Sequence, residues 1–154
     1  HRIGLLDLRI CNLDRHEGNL LVTEDLQTGE KRLVPIDHGF SLPSWRDMSD
    51  AYFGWSYWKQ AQQPFSAATK AYVANLDPCD DISLLKKVGL NDESIITYII
   101  CSLVVKKSVA ANLNLAQIAE LMQRDLGESP SKPSVIEALI SEASHYVGFE
   151  KTSI

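Results

Sequence analysis

Cysteine is scarce in this chain, and its pattern argues against two common kinds of stabilising site. Cys11, Cys79 and Cys101 are odd in number, lie far apart and form no Cys-x-x-Cys pair. The pattern indicates neither a disulfide framework nor a zinc site, and it favours a reducing, intracellular compartment. Long apolar runs are also lacking. The most apolar stretch, residues 95–105, predicts a buried helix, because a bilayer crossing takes about 20 apolar residues.

An excess of positive charge is missing as well. The formal net charge is -5 and the sequence pI is near 5.3, so no global basic field attracts nucleic acid or an anionic membrane. We expect no nucleic-acid partner, and any contact with lipid or phosphate must be local. The chain shows no signal peptide and begins at His1 without a methionine, so we expect a fragment of a longer protein or a coding sequence without its upstream part.

The remaining composition fits one globular domain, with 45% hydrophobic and 23% charged residues in 154. Residues 1–10 carry an apolar strip that predicts either the end of a buried helix or an extended lead-in. Apolar runs flank the polar segment 24–31, in which Thr28-Gly29 is a turn signal, so residues 20–36 are predicted to form a β-hairpin. Residues 40–65 hold all three tryptophans and predict a long ordered loop.

Five helices are predicted after this loop, which makes the chain an α+β domain with a segregated hairpin. Each helix has a candidate N-cap residue. The candidate caps are Ser66, Asp81, Asn91, Asn114 and Ser134. The corresponding helices are expected to end near Leu76, Gly89, Asn112, Gly127 and Val147.

Two acidic motifs lie on either side of the predicted hairpin. Asp14 and Asn19 precede it, and Asp37, which starts an Asp-x-Gly motif, follows it. Because a hairpin brings its two ends together, these side chains are expected to form a cluster of oxygen ligands. Phosphoryl transfer needs a carboxylate that accepts the proton of the attacking hydroxyl and hard oxygen ligands for magnesium. Either motif alone is most often a simple turn, but both in this order around a hairpin predict a kinase-like site.

The sequence around these motifs resembles a known family. Asp14-Arg15-His16-x-Gly18-Asn19, followed by Pro35-Ile36-Asp37-His38-Gly39-Phe40-Ser41-Leu42-Pro43, is similar to the catalytic and activation loops of phosphatidylinositol 3-/4-kinases. Within that family the chain most resembles the type II phosphatidylinositol 4-kinases, especially the plant-type gamma members with ubiquitin-like domains. Residues 1–9, 52–61, 64–66 and 76–78 also support the resemblance, which is specific over roughly residues 1–80.

The resemblance implies that residues 1–154 are the C-terminal lobe of a protein-kinase-like or lipid-kinase fold, mainly helical, with the hairpin at the catalytic site. It places a catalytic loop at 12–19, the hairpin at 20–36, a magnesium motif and activation loop at 37–65, and a helical region at 66–147. ATP and Mg²⁺ are the implied cofactors, with Mn²⁺ as an alternative metal.

The resemblance also implies roles for individual residues. Asp14 is expected to be the catalytic base, and Asn19 and Asp37 are expected to bind magnesium and, through it, the nucleotide. His16 has two expected roles of equal weight: a catalytic position near the transferred phosphate, or a hydrogen-bonded structural histidine. Arg15 is expected to brace the loop by pairing with a carboxylate. His38 is expected to serve in packing or orientation.

Three tryptophans lie in the segment after the magnesium motif, and the resemblance separates their roles. Trp55 and Trp58 belong to the family motif and are expected to be buried. Trp45 is the better candidate for a lipid-facing aromatic side chain.

The expected reaction moves the ATP γ-phosphate to the 4-hydroxyl of phosphatidylinositol. Protein serine or threonine is an alternative substrate, and a catalytically silent binding module is a further alternative. Residues 1–154 contain no glycine-rich loop and no strand lysine of the kind that grips ATP, so we expect a missing N-terminal kinase lobe as a partner and an inactive fragment. The expected location is cytoplasmic, with peripheral contact at membranes as an option, and ATP and phosphatidylinositol in membranes, or a protein substrate, are the other expected partners.

Overall fold

The computed structural model describes residues 1–124 and 132–146, in which the regular structure is six α-helices, three short 3-10 helices and one two-stranded sheet. The helices are α1 (Arg2–Arg9), α2 (Ala67–Ala74), α3 (Ile82–Lys87), α4 (Asp92–Ala110), α5 (Leu115–Met122) and α6 (Val135–Tyr146). The strands are β1 (Leu20–Glu24) and β2 (Lys31–Pro35). This order confirms the predicted hairpin, the long loop and the five helices that follow.

Helix α1 resolves the ambiguity in the first ten residues. Its buried face carries Leu5 and Leu8, which pack into the core with α4 and α5. A Cβ atom on Gly4 would lie 2.3 Å from Cδ2 of Leu115, so the glycine permits the close approach of α1 and α5. The same buried face includes a charged residue, Asp7, whose side chain is fully inaccessible.

Four of the predicted N-caps are confirmed by hydrogen bonds to their helices. The side chains of Ser66, Asn91, Asn114 and Ser134 accept the backbone N–H three residues later, and Asn114 forms a full capping box with Gln117. Asp81 occupies the N-cap position of α3, as predicted, but the expected side-chain cap was wrong. Its carboxylate accepts hydrogen bonds from Tyr98 and Arg9 instead of from the helix.

The predicted end of α5 was also wrong. The helix ends at Met122, and the next residue, Gln123, has an extended backbone and a side-chain Oε1 that accepts a hydrogen bond from the N–H of Phe53 at 3.3 Å. This tertiary contact stops the helix before Gly127, which lies outside the described residues. The end of α6 predicted near Val147 lies outside them too.

The hairpin is regular and exposed. Leu20 pairs with Pro35 and Glu24 pairs with Lys31 in an antiparallel register. Gly29 closes the turn with a φ of 68°, a conformation that favours glycine. Strand residues beyond Leu20 are exposed on both faces until Pro35, so the hairpin contributes little to the core.

The core lies among α1, α4, α5 and α6 and the loop that carries the tryptophans. Trp55 is buried as expected, whereas Trp58 and Trp45 are only partly buried against the core. The guanidinium of Arg46 lies 3.9 Å from the centre of the Trp45 ring. That side chain is therefore covered on one side by a cation and on another by the core. None of the helices in the described residues combines the length and the apolar content that a bilayer crossing requires.

Glu137 anchors the start of α6. Its carboxylate accepts hydrogen bonds from Arg124 at 2.6 and 2.9 Å and from the N–H of Ser134 at 2.8 Å. These contacts, chiefly the one with Arg124, lower the pKa of Glu137 from 4.5 to about 2. The ionised carboxylate therefore stabilises the folded chain above its unfolded pKa, and this contribution is lost as the pH falls through the folded value.

We predict that Glu137→Gln lowers the free energy of unfolding at pH 7, and that the difference from the unsubstituted chain shrinks as the pH falls from about 4.5 towards 2. Urea unfolding at several pH values measures this difference. Glu142→Gln, on an exposed position of the same helix, is the control and should leave stability unchanged. A difference for Glu137→Gln that is constant over this range would contradict the role of its ionised form.

Candidate active site

A buried arginine is the centre of the region that joins the two acidic motifs. The side chain of Arg15 is fully inaccessible, and its Nε lies 3.0 Å from Oδ1 and 3.1 Å from Oδ2 of Asp7. This pairing confirms the expectation that Arg15 braces the loop through a carboxylate. The carboxylate comes from α1, which packs in the core, so the loop is tied to the hydrophobic core.

Asp7 is held by more than its charge partner. The indole Nε1 of Trp55 donates to Oδ2 at 2.9 Å, and Nδ2 of Asn12 lies 3.5 Å from Oδ1. Burial raises the pKa of the Asp7 carboxyl, and the hydrogen bonds from Trp55 and Arg15 oppose that rise. Trp55 is thus a structural anchor of this region.

Arg15 also connects the two ends of the hairpin. Its Nη1 donates to the carbonyl oxygens of Asn19 and Ile36, each at 2.7 Å. Its Nη2 lies 3.1 Å from Nδ1 of His38, and this ring nitrogen accepts because a guanidinium can only donate. The N–H of Ile36 donates to the carbonyl of Asn19 at 3.0 Å. The backbone just before Asp37 is therefore fixed next to Asn19, and the His38 side chain after it is tied to Arg15.

Asn19 lies at the junction of the loop and β1. Asn19 is buried, and its Nδ2 donates to the carbonyl of Asp14 at 3.1 Å. The amide is thereby oriented, and no group in residues 1–124 or 132–146 donates to its Oδ1. That oxygen is free to serve as a metal ligand.

Asp37 adopts a backbone conformation that is unusual for a residue other than glycine. Its φ is 52°, and its Oδ1 accepts the N–H of Gly39 at 3.2 Å. The side chain is exposed rather than buried in a structural ion pair. A strained, exposed carboxylate that is positioned by its neighbours is typical of functional sites.

Asp14 and His16 form the exposed edge of the same loop. Nε2 of His16 lies 3.8 Å from Oδ2 of Asp14, and both side chains are about half exposed, at 45% and 49%. Nδ1 of His16 accepts the N–H of Gly18 at 3.0 Å, which places the proton of the neutral ring on Nε2, the nitrogen that faces Asp14. A Cβ atom on Gly18 would lie 2.8 Å from the ring, so this glycine makes room for the histidine.

The side chains of this site supply only some of the ligands that a magnesium ion needs. Among the described residues, no three His, Cys, Asp or Glu side chains cluster as a complete metal site. Asn19 and Asp37 instead offer an amide and a carboxylate oxygen on two segments that the hydrogen bond from the Ile36 N–H to the Asn19 carbonyl joins. Magnesium commonly combines one or two such ligands with phosphate oxygens and water. The two residues fit a metal that arrives with a nucleotide.

The sequence of this region also matches a known protein family. The family model described as "Phosphatidylinositol 3- and 4-kinase" matches residues 1–113. The chain belongs to the phosphatidylinositol 3- and 4-kinase family. The matched range contains all the site residues discussed above and ends just before α5 begins.

The chain is also similar to individual proteins of Arabidopsis thaliana. The chain is 42% identical to phosphatidylinositol 4-kinase gamma 5 over 153 residues, which are 96% of the chain and 24% of that protein. It is also 42% identical to phosphatidylinositol 4-kinase gamma 1 over 161 residues, covering 99% of the chain and 28% of that protein. These similarities confirm the resemblance to the gamma members and the lipid-kinase family. The chain spans about a quarter of the length of each of these relatives.

Sequence reasoning found the acidic motifs and expected Trp55 to be buried, but it missed that three residues support these motifs. Asp7, Asn12 and Trp55 are buried and connected by hydrogen bonds to one another or to Arg15. One signal was available: Asp7 is the sole charged residue within the apolar run 3–8, where a carboxylate is costly unless it is paired.

We predict that Asp7→Ala lowers the free energy of unfolding by about 3–5 kcal/mol, because it leaves the guanidinium of Arg15 buried without its counter-ion. Chemical denaturation measures the loss. Glu30→Ala is the matched control, since it removes the carboxylate of an exposed pair with Arg32 and should cost nothing measurable. Equal losses for the two variants would show that the buried pair does not organise this region.

Proposed function

We propose that this chain supplies the catalytic and magnesium-binding half of a kinase that transfers the γ-phosphate of ATP to the 4-hydroxyl of phosphatidylinositol. One observation carries the proposal. Arg15 donates at once to the carbonyls of Asn19 and Ile36, and so joins the loop of the base to the start of the magnesium motif. The names of the gamma relatives support the choice of lipid and hydroxyl.

Asp14 is the residue proposed to accept the proton from the attacking hydroxyl. Its backbone N–H donates to Oδ1 of Asn12 at 3.1 Å, which fixes the main chain of the residue, while its carboxylate stays half exposed to an incoming substrate. The hydroxyl oxygen forms a bond to the γ-phosphorus, the bond from that phosphorus to the bridging oxygen of ADP breaks, and the hydroxyl proton passes to Asp14. His16, with its Nε2–H towards Asp14, is positioned to hydrogen bond to the carboxylate or to a phosphate oxygen.

Asn19 and Asp37 are proposed to hold Mg²⁺, with Mn²⁺ as an alternative, on the phosphates of ATP. When bound, the ion neutralises negative charge on the phosphates. The chain's own contribution is to orient the ligands: Nδ2 of Asn19 is engaged by the carbonyl of Asp14, which leaves Oδ1 as the free amide atom. The N–H of Gly39 plays the same part for one oxygen of Asp37.

A second lobe is proposed to complete the nucleotide site. Both faces of the hairpin carry exposed apolar side chains, including Leu21, Val22, Leu33 and Val34. A surface of this kind is typical of a region that another domain covers. The glycine-rich loop and phosphate-pairing lysine of kinases, which do not occur in residues 1–154, would come from that lobe. A cytoplasmic location with peripheral membrane contact follows from a lipid substrate and is part of the proposal.

We predict that Asp14→Asn, in the protein that carries both lobes, lowers turnover with phosphatidylinositol by a factor on the order of 10²–10⁴ and leaves nucleotide affinity nearly unchanged. Asp37→Ala should instead weaken magnesium-dependent ATP binding. Radiolabelled phosphate transfer to vesicles measures turnover, and calorimetry measures binding. Asp80→Asn, at an exposed position just before α3, is the control. Near-normal activity of Asp14→Asn on lipid and on protein substrates would show that another residue is the base.

We also predict that residues 1–154 alone bind Mg-ATP weakly and transfer no phosphate to phosphatidylinositol. The adenine pocket of a kinase lies between two lobes, so most of the burial and preorganised charge is missing when one lobe is absent. Calorimetry with Mg-ATP and the same transfer assay test this directly. Tight binding with turnover by these residues alone would contradict the need for a second lobe.

A further inference from the structure

Helix α4 has apolar residues on both its buried and its exposed face. The buried face packs against α1, α2 and α5 through residues that include Cys101, Val105 and Val109. The opposite face is also apolar, although a helix at the surface of a lobe normally turns polar residues to water. Ile96 and Leu103 on that face are 41% and 43% exposed.

The residues opposite the buried face form a single stripe, in which Ile99 and Ile100 are half-buried and Ile100 also packs against the core. We call it the α4 stripe, and its members lie within an arc of about 100° on a helix of 3.6 residues per turn. Its members are Asp92, Ile96, Ile99, Ile100, Leu103 and Lys107. The four central apolar residues have the i, i+3, i+4, i+7 spacing with which one helix packs against another.

The α4 stripe has a two-fold symmetric order of residue types. Counting from the midpoint between Ile99 and Ile100, an apolar residue on one side is matched by one on the other, and Asp92 at one end is matched by Lys107 at the other. If a second copy of the helix lies antiparallel across the stripe, each Asp92 faces a Lys107. A two-fold interface requires this self-complementarity, in which the same patch serves both partners.

From this symmetry we propose that the α4 stripe is the contact of an antiparallel homodimer of this chain. Asp92 remains available for it: its side chain is 82% exposed, although its Oδ1 also lies 3.4 Å from Nζ of Lys86. Lys107 is exposed, and no described residue pairs with it. A uniformly basic or acidic stripe would favour a partner of opposite charge, whereas acidic and basic ends favour a second copy.

The contact is small, which sets its expected strength. A single helix stripe buries less than the roughly 1,200 Å² typical of stable complexes. We therefore expect dissociation constants on the order of 10–100 µM, which correspond to a reversible dimer.

The stripe begins beside the segment that follows the Asp37 motif. Glu93, next to Asp92, accepts hydrogen bonds from Oγ of Ser44 at 2.7 Å and Nε of Arg46 at 3.3 Å. Both donors belong to the segment that follows the magnesium motif. The dimer would therefore form beside this segment in each copy.

Sedimentation equilibrium of residues 1–154 over concentrations up to about 1 mM tests the proposal. We expect a reversible monomer–dimer equilibrium. Leu103→Glu should raise the dissociation constant at least tenfold, since it places two charges in the centre of the contact. Leu139→Glu is the matched control, because Leu139 is 54% exposed but lies on α6, and it should leave the dissociation constant unchanged.

A charge exchange separates specific pairing from general destabilisation. Asp92→Lys alone and Lys107→Glu alone should each raise the dissociation constant several-fold, because each places like charges opposite one another twice. The double variant should return to within about threefold of the original value. Circular-dichroism melts follow folding in parallel: both substitutions oppose the helix dipole, so the double variant should be the least stable even as its dimer recovers.

Several outcomes would overturn the proposal. These are a chain that stays monomeric over the whole range, a dimer that persists in Leu103→Glu, and a charge-exchanged double variant that is weaker than either single one. Flotation of the monomeric chain with phosphatidylcholine–phosphatidylinositol vesicles that is lost in Leu103→Glu would overturn it too, because the stripe would then contact lipid.

Discussion

The ion pair between Arg15 and Asp7 is the interaction on which the site depends. Removing two charges from water is costly. This pair is tolerated because its carboxylate and its guanidinium each make further hydrogen bonds. The guanidinium has donors left over after it has bound the carboxylate, and these reach two carbonyls and a histidine across the hairpin base. A lysine could not make these contacts together. The pair therefore fixes positions as well as charge.

The fold was largely predictable because its signals are local. Thr28-Gly29 between apolar runs indicated the hairpin, and Ser66, Asn91 and Asn114 marked true helix starts. The errors arose where a distant group competed. Asp81 bonds to Tyr98 rather than to its own helix, and Gln123 leaves the helix to bond to the loop. Such partners lie 17 and 70 residues away in the sequence, so no local pattern reveals them.

Some residues of the candidate site could likewise be predicted from the sequence, and others could not. Asp14, Asn19 and Asp37 were found from spacing, because the hairpin between them is a local structure. Their supports were not found, since Asp7 and Trp55 reach Arg15 or each other only through the tertiary fold. The roles of the three site residues remain predictions. The guanidinium of Arg15 donates to the backbone carbonyls of Asn19 and Ile36, and this brings Asn19 and the start of the Asp37 motif together as those roles require.

The central claim is that Asn19 and Asp37 share one divalent ion. Anomalous diffraction from crystals of the protein that carries both lobes, soaked with Mn²⁺ and a non-hydrolysable ATP analogue, tests it most directly, because manganese gives its own signal. The account predicts one manganese peak bonded to Oδ1 of Asn19 and to the carboxylate of Asp37, at about 2.0–2.3 Å. A peak on Asp37 with the Asn19 amide turned away, or a peak elsewhere in the lobe, would contradict it.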